Sequence, residues 1–166
     1  MPALTTLRPQ SIAPDCWADL GGFAQLRTLT ITWPGVFTAT QQSALESSLH
    51  ALPHLTDLFL WTPAHRRVDT PPLALCLPGL VSLGINGLRV PTLAFLEHSP
   101  LLDSLILANC GEMTADDTVS CLQSFALRLR ALFLHQCVRL SAEQEAHLEP
   151  PSPLLSALTE LTSESL

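Results

Sequence analysis

Residues 102–110 read Leu102-Asp103-Ser104-Leu105-Ile106-Leu107-Ala108-Asn109-Cys110, and residues 129–137 read Leu129-Arg130-Ala131-Leu132-Phe133-Leu134-His135-Gln136-Cys137. Both follow the pattern Leu-x-x-Leu-x-Leu and end on a cysteine in the same place. The pattern recurs at Leu26-Leu29-Ile31, Leu55-Leu58-Leu60 and Leu80-Leu83-Ile85, so five segments begin at positions 26, 55, 80, 102 and 129. Their period is roughly 20–29 residues, short enough for one supersecondary unit per repeat. Side chains alternate along a strand, so each Leu-x-(Leu/Ile) turns its aliphatic residues inward and the residues between them outward. Repeating the unit stacks the strands into a parallel sheet, and the remaining roughly 15 residues of each unit return the chain to the start of the next strand.

Pattern and period together resemble the leucine-rich repeat superfamily, and the resemblance covers most of the chain. In that family a Cys or Asn falls eight positions after the first Leu, and Cys110 and Cys137 occupy that slot as in the cysteine-containing subtype. The resemblance implies an α/β fold: a solenoid with a curved parallel sheet on its concave side and short helices and loops on its convex side. It implies one domain over 1–166, with about five clear repeats and degenerate ends at Leu4-x-x-Leu7 and Leu158-x-x-Leu161. Pro34, Pro63 and Leu88 fill the remaining slots, where the hydrogen-bond ladder of Asn or Cys is lost, and irregular curvature is the expected consequence.

The returns carry helix signals. Thr38-x-x-Gln41 and Ser141-x-x-Gln144 read as capping boxes, and Leu45 with Leu49 supplies an apolar face to the first helix. Pro91 suits the first turn of a short helix running to His98, which Pro100 ends. Residues 114–128, with Val119, Leu122 and Phe125 at helical spacing, form the best amphipathic helix. By contrast, Pro63, Pro71, Pro72 and the Arg66-Arg67 pair favour a loop over 61–77, with at most one helical turn.

Composition narrows the function classes. The chain is 47% hydrophobic but only 5% aromatic, so aliphatic residues build the interior. A net charge of -7 with 8 Lys and Arg argues against nucleic acid, which needs a concentrated basic surface; Arg128 and Arg130 are too few to make one. The N-terminal segment lacks a basic leader followed by an apolar run, and no apolar stretch approaches the roughly 20 residues of a membrane span. Asn86 and Asn109 head no glycosylation acceptor, and the five cysteines form no CxxC pair. The expectation is a cytoplasmic or nuclear protein with free buried thiols and no membrane partner.

Catalytic and metal-binding patterns are scarce. His50 and His54 have the spacing of two ligands on one helix face, but Pro53 interrupts that helix. His65, His98 and His147 fall in returns near the surface. Cys110 or Cys137 beside His135 suggests a nucleophile, yet the repeat slot assigns both thiols to packing inside the solenoid. Neither a phosphate-binding Gly-rich loop, a nucleophile elbow nor a zinc-protease helix motif occurs. The expectation is a non-enzyme without cofactor or metal.

The outward positions speak more clearly. Between the inner leucines stand Thr30, Phe59, Gly84, Ile106 and Phe133, followed by Thr32, Trp61, Asn86, Ala108 and His135. Phe59, Trp61, Ile106, Phe133 and His135 therefore share one face, and a contiguous apolar patch there marks a partner-binding site. The alternative is that Phe59 and Phe133 cover the sheet or meet further parts of a longer chain. Degenerate cysteine-containing repeats of this kind resemble those of F-box proteins, including the fungal type, where the repeats select a substrate for ubiquitination. No F-box stands in the chain, whose stretch before Leu26 is too short for that three-helix module. The leading expectation is a protein-protein interaction module; the alternative is the substrate-recognition part of an F-box-type ubiquitin ligase, with a ligase adaptor as partner if an F-box is encoded elsewhere. A third is a structural remnant without a partner.

Overall fold

A computed structural model describes residues 4–8, 14–32, 38–61, 75–88, 90, 92–110, 128–135, 137 and 160–164. Every repeat of the leucine pattern becomes a strand. They are β1 (Thr6–Leu7), β2 (Thr28–Thr32), β3 (Asp57–Trp61), β4 (Ser82–Asn86), β5 (Ser104–Ala108), β6 (Ala131–His135) and β7 (Glu160–Glu164). They form one seven-stranded, all-parallel sheet in the order of the chain. The fold is α/β, since each parallel neighbour must be reached by a crossover.

Register follows the leucines. Leu29, Leu58, Leu83, Leu105 and Leu132 pair as direct neighbours, and so do Ile31, Leu60, Ile85, Leu107 and Leu134. All ten are buried, as is the row of first leucines, Leu26, Leu55, Leu80, Leu102 and Leu129. A one-residue slip would carry every aliphatic side chain to the opposite face, so burial on one side locks the register. The two degenerate ends obey it as well: Leu7 pairs with Leu29, and Leu161 with Leu132. Leu4, the counterpart of buried Leu26, is 43% exposed because β1 is the outermost strand.

Helical returns lie on the leucine side. Helix α1 (Ala39–His50) opens on the expected capping box: Gln41 N–H donates to Thr38 Oγ1 at 3.2 Å, and Thr38 N–H donates to Gln41 Oε1 at 3.0 Å. It buries Leu45 and Leu49 in the core and stops at His50, just short of Pro53. Thr38→Ala removes one arm of the box and is expected to lower stability by roughly 0.5–2 kcal/mol in urea melts. Preceding β2, a 3-10 helix (Pro14–Gly22) that the sequence pattern did not signal adds Trp17 and Leu20 to the same core.

The short helix before β5 differs from expectation. It is a 3-10 helix confined to Ala94–His98, with no side-chain cap at Leu93. Its bonds run over three residues, Leu96 N–H to Leu93 O and Ser99 N–H to Leu96 O, both at 2.9 Å. So short a segment before Pro100 leaves too little chain for a settled α-helical ladder. Pro91, nearly all of the helix expected over 114–128, the Ser141 capping box, slots Pro34 and Pro63, and most of the 61–77 loop lie outside the described residues. Among the described residues, no helix is long and apolar enough to cross a membrane.

The cysteine slot behaves as a ladder. Cys110 and Cys137 are free thiols and buried, as is Leu88 in the equivalent slot of the preceding repeat. Cys110 N–H donates to Cys137 Sγ at 3.3 Å, while the Cys110 sulfur lies 3.3 Å from Ala108 O and 3.5 Å from Ile85 O. Cys137 Sγ sits 3.3 Å from His135 O. A side-chain hydrogen bond between the two thiols, then burial, holds the Cys110 thiol well above its ordinary pKa. The same bond, opposed by burial, draws Cys137 down. Because burial shuts reagents out, thiol labelling in native buffer should mark exposed Cys16 and Cys76 and miss buried Cys110 and Cys137, despite the lowered pKa of the latter, until denaturant is added. Fast labelling of Cys110 in the folded state would refute its structural role.

Candidate protein-binding face

On the side away from the leucines, the strands present the expected outward rows. Register sets Thr30, Phe59, Gly84, Ile106 and Phe133 side by side, and Thr32, Trp61, Asn86, Ala108 and His135 in the row beyond. Phe59 and Trp61 stand on β3 and Phe133 and His135 on β6. These two aromatic groups are separated by β4 and β5, whose outward residues are small apart from Ile106 and Asn86. A cavity of about 430 Å³ opens between them, bordered by Phe59, Trp61, Ile106, Phe133 and His135. The five residues chosen from sequence thus meet at one site.

The expectation is that the apolar ones are exposed together, and their exposure is uneven. Trp61 is 53% and Ile106 37% exposed, whereas Phe59, Phe133 and His135 are half-buried. Phe59 is half-buried because its ring lies over Gly84, where an added Cβ would overlap the ring, with Cε1 only 2.9 Å away. Glycine inside a strand commonly marks such a close approach. Phe133 is half-buried because it stacks with His135, the ring centroids 6.1 Å apart and the planes 20° from parallel.

Asn109 was not singled out from sequence. It follows β5 in the left-handed region at φ 53°, as Gly87 follows β4 at φ 75°. Each donates its backbone N–H onward, Gly87 to Ala108 O at 2.8 Å and Asn109 to His135 O at 2.7 Å. Gly and Asn are the residues that enter this region most readily, so their shared place after the strand was a usable signal. The Asn109 amide then reaches back, donating from Nδ2 to Asn86 Oδ1 at 3.0 Å, and both asparagines border the cavity.

The histidines considered as ligands lie elsewhere. His50 Nε2 accepts from Cys76 N–H at 3.1 Å, and His54 and His98 are exposed. Among the described residues no group of three His, Cys, Asp or Glu could hold a metal ion. Compared with known proteins, the chain matches no family model and no curated protein.

Proposed function

We propose that the chain is a leucine-rich-repeat solenoid, curved with its strands on the concave side, and that it works as a non-enzymatic module binding a protein partner on that face. The observation that carries this reading is the aromatic cavity. Solvent-facing strand positions are normally polar, yet here two Phe, a Trp and an Ile converge on about 430 Å³ of open space. Aromatic residues dominate binding hot spots, and apolar patches on a sheet face mark interaction surfaces. The cytoplasm or nucleus, where thiols stay reduced, suits the buried free cysteines.

A narrower reading, substrate recognition within an F-box-type ubiquitin ligase, draws on the cysteines. Cys110 and Cys137 occupy equivalent buried places on successive repeats, as in the cysteine-containing subtype. Affinity capture from the native extract tests both readings at once. Capture of ligase adaptor and cullin subunits supports the narrower one. Retention of a partner by the wild type but not by a variant altered on the face supports the broader one alone.

A further inference from the structure

Resting on the face just proposed as a binding surface, we infer that the cavity receives a tyrosine side chain from the partner. Size comes first: about 430 Å³ lies within the range of pockets that bury whole small ligands, room enough for one aromatic side chain with its flanking backbone. Among the described residues that border the cavity none is Asp, Glu, Lys or Arg, so a charged anchor would lose its hydration without a counter-charge from them. Phe59, Trp61 and Phe133 supply aromatic walls, against which another ring gains offset or edge contacts that an aliphatic chain does not.

Polarity then separates one ring from another. Asn109 borders the cavity with its backbone pinned to His135 O and its Nδ2 to Asn86 Oδ1. One primary amide can both accept and donate, and a phenol hydroxyl answers both, whereas an indole N–H only donates and a phenyl ring does neither. These 166 residues contain no Tyr, so none of them is the anchor.

The test is an NMR titration of the full ¹⁵N-labelled chain with N-acetyl-tyrosinamide, N-acetyl-phenylalaninamide and N-acetyl-leucinamide. Saturable shifts are expected at Gly84, Asn86 and Asn109, with the tyrosine probe about fivefold tighter than the phenylalanine probe, the worth of one net hydrogen bond. Asn109→Gly keeps the left-handed backbone while deleting the amide. It should bring the tyrosine probe to the affinity of the phenylalanine probe and leave the latter unchanged. Equal binding of the two aromatic probes to the wild type, equal losses for both in Asn109→Gly, or shifts confined to other parts of the chain would each overturn the assignment. Equal binding at the cavity overturns the tyrosine anchor and leaves the binding face standing. The face itself fails only if partner affinity ignores substitutions at Phe59 and Phe133.

Discussion

Leu105→Ala is expected to destabilise the protein by about 2 to 5 kcal/mol, the range for truncating a fully buried leucine. Leu105 has no exposed surface and pairs on either side with Leu83 and Leu132, which are equally buried. Strand backbone hems the cavity left behind, so little collapse can offset the lost contacts. A cost near the upper end follows, compared with Leu7, which sits on the outermost strand, only partly buried. Urea unfolding of both variants checks this. An unchanged midpoint for Leu105→Ala would refute the inward register.

Replacing Phe59 and Phe133 together with Ser should weaken partner binding by more than about 2 kcal/mol, roughly thirtyfold. Both rings project from outward rows, so the leucine rows beneath stay intact and the variant should remain folded by circular dichroism. Each ring is half-buried, so a small loss of stability accompanies the substitution. Leu83→Ser is the contrasting control. It buries a hydroxyl among leucines, unfolds the sheet locally and abolishes binding through loss of structure. Calorimetry with the partner recovered from native extract provides the measurement. Full affinity in the folded double variant would refute the face and redirect attention to the helical side or to the segment 61–72.

The strand register was legible because leucine spacing is a direct record of which side faces the core. Even at the worn ends, Leu7 and Leu161 pair where the pattern puts them. The outward rows followed from the same alternation, which is why Phe59, Trp61, Ile106, Phe133 and His135 meet. How far each side chain stands open was not legible. Exposure of Phe59 depends on what lies beside it across the sheet, and its seat is Gly84, a full repeat away in sequence. The part played by Asn109 was not legible either, because it arises from a backbone angle and a cross-strand amide bond. The 3-10 helix of Pro14–Gly22 lacks the apolar period that announces an α-helix, although Trp17 and Leu20 are fully engaged in the core.

Strand order has a consequence for the protein's birth on the ribosome. From β1 to β7, each strand's next partner lies a single repeat further along the chain. At about 5 to 20 residues per second, a repeat of roughly 20–29 residues takes about one to six seconds to synthesise. Parallel sheets are usually slow to assemble because distant segments must find one another, but here no strand waits for a remote one. The nascent chain can add one rung at a time, and a polypeptide halted after β5 would keep β1 to β5 paired among themselves.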